Sequence, residues 1–174
     1  MYYSGFALEN EAHFFDAWFS ESLYTVSGFS YGAIVAFEKA LASSTRVDTL
    51  QLFSPAFFQN RSEKYKKLQL MGYQKNSAVY IEKFTQNCFK PYPLQALNYS
   101  EHTLQELEVL LGYVWTRENL ETLKAKGTKI EVYLGGQDKI NDSEGAYEFF
   151  KAFATVTLIK DANHFLQGET DERD

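Results

Sequence analysis

The sequence predicts an α/β fold, with about five parallel strands covered by helices on both faces and a helical insertion before the last two strands. Strand-like and helix-like stretches alternate over residues 1–55 and again over 128–167, an order that gives a parallel sheet. Residues 56–127 hold helix signals and no convincing strand. The chain has 174 residues, 45% of them hydrophobic, enough for one continuous core. A single domain spanning residues 1–174 is expected, with the insertion at about 56–127.

The opening Tyr2-Tyr3-Ser4-Gly5-Phe6 reads as a short strand ended by Gly5. A helix is expected over residues 10–19, because Ala12, Phe15, Trp18 and Phe19 fall near helical spacing and Asn10 can cap it. Residues 23–29 form a strand, and residues 31–42 a helix with Ala33, Ala36, Phe37, Ala40 and Leu41 on one face. The strand at 47–54 is stopped by Pro55. In the insertion, Thr103 and Glu106 make a capping box ahead of Leu104, Leu107, Leu111 and Val114. A further helix starts near Thr116 and stops at Gly127. Then come a strand at 129–136, a helix at 143–153 behind Asp142, a strand at 154–160 and the segment 161–167. The acidic stretch from Gly168 to Asp174 is expected to fray.

Bulk properties exclude several classes. No apolar run approaches the ~20 residues of a membrane helix. The first residues lack the basic flank and apolar core of a signal peptide. Cys88 is the one cysteine, so no internal disulfide forms and a cytoplasmic location is expected. The net charge of −6 argues against general nucleic-acid binding. The charge is uneven. Residues 61–90 hold seven basic residues against Glu63 and Glu82, a net of +5 that leaves −11 for the rest. Such a segment is either a solvated helical face or a docking surface for an acidic partner.

The chemistry centres on Gly28-Phe29-Ser30-Tyr31-Gly32. This is G-x-S-x-G, the strand-to-helix elbow that presents a nucleophilic serine in α/β-hydrolases. The pattern alone is common, but its place between a strand and a helix makes it informative. Serine needs a base, and the base needs an orienting acid. Asp138 follows one later strand and His164 follows the next, in the chain order such enzymes use. Asp161 is the rival acid, and Asp138 alternatively a turn residue. His13 and His102 follow no suitable strand. The oxyanion of an acyl intermediate needs two backbone donors. The amide of Tyr31 is one candidate, and that of Phe6, in the loop after the first strand, is the other. Many α/β-hydrolases begin with additional strands; here the first strand is expected at the sheet edge.

Several segments extend this pattern: "YYSGF", "VSGFSYGAI", "LQLFSPAF", "KYKKLQLMGYQK", "LQELEVLLGY", "KIEVYLGGQDKI" and "KDANHFLQ". Over nearly its whole length the chain resembles the short BioV-type pimelyl-[acyl-carrier protein] methyl ester esterases of biotin biosynthesis. The resemblance implies a truncated α/β-hydrolase with a helical lid, hydrolysing that methyl ester with the triad Ser30, Asp138 and His164. It implies no cofactor and no metal. The acidic acyl carrier protein would be the partner of Arg61, Lys64, Lys66 and Lys67. Phe57, Phe58, Tyr65, Leu68, Tyr73 and Phe84 would line the acyl channel, or simply pack the lid. No nucleic acid or membrane is expected, and the protein is expected to be a monomer. A general small-ester carboxylesterase or an acyl thioesterase would use the same triad; a hydrolase-like binding protein would leave it idle.

Overall fold

A computed structural model describes residues 1–169. Most of the acidic stretch expected to fray lies outside these residues.

In chain order the elements are β1 (Tyr2–Tyr3), β2 (Leu8–Glu9), a 3-10 helix (Glu11–Trp18), β3 (Thr25–Phe29), α1 (Tyr31–Ala42) and β4 (Thr49–Phe53). The insertion contributes α2 (Glu63–Lys75), α3 (Ser77–Phe89), β5 (Asn98–Tyr99), α4 (Leu104–Gly112) and α5 (Arg117–Ala125). β6 (Lys129–Gly135), α6 (Ser143–Phe150) and β7 (Thr155–Ile159) complete the fold. The main sheet has five strands in the order β1-β3-β4-β6-β7, all parallel. One row across it runs Tyr3, Gly28, Leu52, Val132 and Val156. Because the strands are parallel, the loops carrying Ser30, Asp138 and His164 leave the same edge of the sheet. This is the edge where open α/β sheets bind ligands.

Alternation along β4 assigns the layers. Leu50 and Leu52 are fully buried on the opposite face from Gln51 and Phe53, and α1 packs against β3 and β4. Phe53 stacks on Phe15 of the 3-10 helix at 4.7 Å, and Gln51 Nε2 donates to the Trp18 carbonyl at 2.7 Å. One face is therefore covered by a 3-10 helix, not the expected α-helix. Asn10 does not cap it. Its φ is 62°, and its side chain makes no capping bond, while the neighbouring Glu11 carboxylate is turned inward toward the Gly5 amide. Trp115 anchors the end of the insertion: its ring lies 5.0 Å from Phe37 and 5.1 Å from Phe150, and Nε1 donates to the Ala56 carbonyl.

Inside the insertion, the Thr103–Glu106 capping box forms with both reciprocal bonds. Thr116 caps α5, and Gly127, at φ 84°, takes the left-handed turn after it. Two expectations need correction. Val114 lies beyond the end of α4 and is 57% exposed. The insertion also contains a strand, the two-residue β5, which pairs antiparallel with β2 outside the main sheet.

Candidate active site

Ser30 stands between the last residue of β3 and the first of α1, with φ 54° and ψ −113°. A serine seldom adopts that conformation, which costs about 1–3 kcal/mol and persists only where the surroundings impose it. Here the Ser30 amide donates to the Phe53 carbonyl at 2.9 Å, and its carbonyl accepts from the amides of Ala33 and Ala56. The flanking glycines are dictated by contact. A Cβ on Gly28 would lie 2.1 Å from the Gly32 carbonyl oxygen, and one on Gly32 would lie 2.1 Å from that of Tyr3.

Ser30 Oγ–H donates to His164 Nε2 at 3.1 Å, and His164 Nδ1–H donates to Asp138 Oδ2 at 2.6 Å. The other carboxylate oxygen of Asp138 accepts the amides of Ile140 and Asn141 at 2.7 and 3.1 Å. The Asp138 and His164 side chains are fully buried. Asp161, the rival acid, is exposed and makes no side-chain contact with His164. His13 meets the Asn10 carbonyl, and His102 meets the Tyr73 hydroxyl. Burial pushes the Cys88 thiol well above its ordinary range, and the Asp138 charge adds to this.

Sequence reasoning missed the residues that hold these loops. Asn141 receives the Phe57 amide on Oδ1 and donates from Nδ2 to the carbonyls of Ser54 and Pro55. Ser54, itself at φ 41°, donates its hydroxyl to the His164 carbonyl at 2.7 Å. Asn163 accepts the amides of Phe165 and Gln167 and donates to the Phe89 carbonyl of α3. Glu11 is fully buried: Oε1 accepts the Gly5 amide at 2.8 Å and the Tyr2 hydroxyl at 2.9 Å, while Oε2 has no partner among the described residues. Among the described residues, the backbone amides of Phe6 and Tyr31, the two candidate oxyanion donors, make no hydrogen bond.

Beside this site, under α2 and α3, lies a cavity of about 340 Å³, within the ~300–1,000 Å³ of small-molecule sites. α2 turns Tyr65, Leu68, Gln69 and Gly72 toward it, and α3 turns Tyr80, Lys83, Phe84 and Asn87. Each set is spaced i, i+3, i+4, i+7, one face of a helix. Phe58, Leu111 and Ile140 close the cavity, and Lys139, next to the acid, completes it. Of the expected channel residues, Phe58, Tyr65, Leu68 and Phe84 line it. Phe57 does not, because it packs on Phe149 and Phe150 in the core. Tyr73 does not either; its hydroxyl meets His102 and its ring lies 6.3 Å from Phe6. Ser30 and His164 do not themselves line it and are 2% and 0% exposed.

The basic segment divides in two. Lys64 and Lys67 are exposed, with no carboxylate partner among the described residues. Lys66 is mostly covered and pairs with Glu63 at 3.4 Å, and the Arg61 guanidinium lies 5.3 Å over the Tyr65 ring, its buried Nε without a partner among the described residues. These two are packing residues as much as charges.

No family model matches the chain, and no curated protein sequence matches it significantly. Solved structures do match. Naproxen esterase (carboxylesterase NP) from Bacillus subtilis superposes with a TM-score of 0.55 at 20% identity, over 82% of this chain and 53% of that one. BioG from Haemophilus influenzae gives a TM-score of 0.57 at 12% identity, over 95% of this chain and 87% of that one. The chain has the α/β-hydrolase fold. An esterase from Exiguobacterium antarcticum shares it, with a TM-score of 0.53 at 15% identity, over 80% of this chain and 59% of that one. Against the two larger esterases the chain thus spans 53% and 59% of their length. At such identities the likeness establishes the α/β-hydrolase fold and leaves activity to be argued from the site. No helix among the described residues is long and apolar enough to cross a membrane.

Proposed function

We propose that this chain is a serine carboxylesterase whose substrate is the methyl ester of a pimelyl group on acyl carrier protein, hydrolysed to pimelyl-carrier and methanol in biotin biosynthesis. The observation that carries the esterase reading is the hydrogen-bonded sequence Ser30–His164–Asp138 on a strained strand-to-helix elbow. His164 Nε2 accepts the Ser30 proton as Oγ attacks the ester carbonyl, and Asp138 steadies the imidazolium through Nδ1. The amides of Phe6 and Tyr31 take the charge on the carbonyl oxygen. Collapse of this intermediate expels methanol, protonated by His164. Water, deprotonated by the same histidine, then releases the acid from Ser30.

The finer specificity rests on the sequence resemblance, supported by the basic segment. The segment 56–127 acts as a lid on a single catalytic domain. Exposed Lys64 and Lys67 on α2 suit an acidic carrier, and the aromatic cavity suits an acyl chain. Because Ser30 is 2% exposed, the lid must shift for an ester to reach it. A cytoplasmic setting belongs to the same proposal, in keeping with a single buried cysteine.

A fluorophosphonate probe should label wild-type protein at Ser30 and leave Ser30→Ala unlabelled; absence of labelling would favour a non-catalytic binding protein. Mass spectrometry of pimelyl-carrier methyl ester should then show loss of the methyl group with the thioester intact. Free carrier as the main early product would make the enzyme a thioesterase. Equal kcat/KM on short free esters would make it a general carboxylesterase.

A further inference from the structure

The polar chemistry of the cavity is one-sided. Apart from its two tyrosines, its polar side chains are Gln69, Lys83, Asn87 and Lys139; no carboxylate among the described residues lines it, although the chain carries a net charge of −6. Tyr80 donates its hydroxyl to Gln69 Oε1, which leaves the Gln69 amide nitrogen as a donor. Neither Lys83 nor Lys139 has a carboxylate within 4.0 Å among the described residues, although both are exposed. They therefore stand at the rim, with the apolar wall of Phe58, Leu111 and Ile140 further in. A wall of this kind takes a hydrocarbon chain, and two ammonium groups with two amide donors take an acceptor-only, charged group. Ile140 and Lys139 directly follow Asp138, and the Ile140 amide donates to its carboxylate, so the cavity adjoins the Asp138 loop.

We infer that the cavity holds the acyl part of an ester whose end remote from the scissile bond carries an anion, and that Lys83 and Lys139 bind that anion with help from Asn87. The inference rests on the esterase reading only for where the scissile bond lies. Two sources supply such an anion: the phosphate of a phosphopantetheine arm, and the free carboxylate of a dicarboxylic monoester. Both are bound by the same charge-assisted hydrogen bonds. This subsite is separate from the exposed Lys64 and Lys67, which would meet the carrier protein itself.

The test is binding to full-length Ser30→Ala protein, which removes turnover from the measurement. Calorimetry compares two pairs of ligands: methyl pimelyl-pantetheine with its 4′-phosphorylated form, and dimethyl pimelate with monomethyl pimelate. The anionic member of at least one pair should bind about tenfold more tightly, and the pair that shows the preference identifies the source of the anion. Adding Lys83→Gln and Lys139→Gln should erase that preference, and so should raising salt well beyond 0.1 M, where screening is short-ranged. Equal affinities within both pairs, a preference that survives loss of both lysines, or no binding of any of the four at millimolar concentration would each overturn the inference. Turnover is assayed separately on wild type. If none of the esters is hydrolysed while the lysine-dependent preference persists, the esterase reading fails and the anion subsite stands.

Discussion

Around Ser30, the side chains of Asp138, Asn141, Asn163 and His164 are each hydrogen-bonded and out of solvent or nearly so. On the helical insertion, Met71 and Val79 lie 53% and 42% exposed, and Lys64 and Lys67 reach solvent with no carboxylate partner among the described residues. The loops at the sheet edge are fixed by glycine contacts and buried polar bonds that tolerate little displacement. α2 and α3 present an outer surface unfinished by the chain itself, which suits recognition rather than chemistry. Substitutions in the two regions should therefore differ in what they damage.

The largest effect is expected at the sheet edge. Ser30→Ala or His164→Ala should lower kcat/KM for any ester by about 10⁴–10⁶, with Asp138→Ala somewhat milder. Asp161→Ala should leave turnover near wild type; a loss there as deep as at Asp138 would break the assignment of the acid. Next comes the frame. Gly32→Ala places a methyl group 2.1 Å from the Tyr3 carbonyl oxygen. It should cost about 3 kcal/mol or more, read as a lower urea midpoint, and an unchanged midpoint would show that β1 can retreat from α1. Glu11→Ala strands the Gly5 amide and the Tyr2 hydroxyl and should cost about 2 kcal/mol. It should also lower kcat more than it raises KM, because the oxyanion loop is loosened. Glu11→Gln keeps an acceptor for Gly5 and should recover most of that kcat; equal losses in the two variants would make the role of Glu11 purely structural.

The smallest effect is expected on the insertion. Reversing Lys64 and Lys67 to Glu should reduce kcat/KM on a carrier-bound ester by about three- to tenfold while changing that of a small free ester far less. The difference should shrink as salt rises through 0.1 M. A common loss on both substrates would mean that α2 is part of the rigid frame after all.

Legibility in the sequence follows the same division. The sheet, α1 and the elbow were readable because their signals are local: alternation, a helical stripe, and glycines whose missing side chains are felt within a few residues. Asp138 and His164 were readable because a parallel sheet sends every strand end to one side. The cavity was half readable. Tyr65 and Leu68 belong to one face of α2 and Phe84 to one face of α3, but only the packing of the two helices decides that Tyr73 turns to His102 while Lys83 stands at the cavity rim. The i, i+3, i+4, i+7 sets on α2 and α3 were present, yet a basic residue on such a face reads as solvated. Glu11 was invisible for a similar reason. An acidic residue at a helix start looks exposed and dipole-compensating, and here it is buried against a backbone amide 2.8 Å away. β5 and the 3-10 helix carry too few residues, or too irregular a spacing, to leave a pattern.

The insertion is fastened on both banks of the cleft. β5 pairs with β2 just after the Gly5-Phe6 turn, Leu8 opposite Tyr99, and Ser100 adds bonds to the carbonyls of Ala7 and Leu8. On the far bank the last residue of α3, Phe89, receives Asn163, and Tyr92 donates its hydroxyl to the Asp161 carbonyl. A cap held this way is not a cassette. Transplanting it onto another hydrolase, or replacing it with a foreign one, would remove the clasp from the loops on either side of Ser30. Lid and base would have to diversify together, and chimeras should succeed only when the exchanged piece brings the residue 7–9 and 161–163 partners along with it.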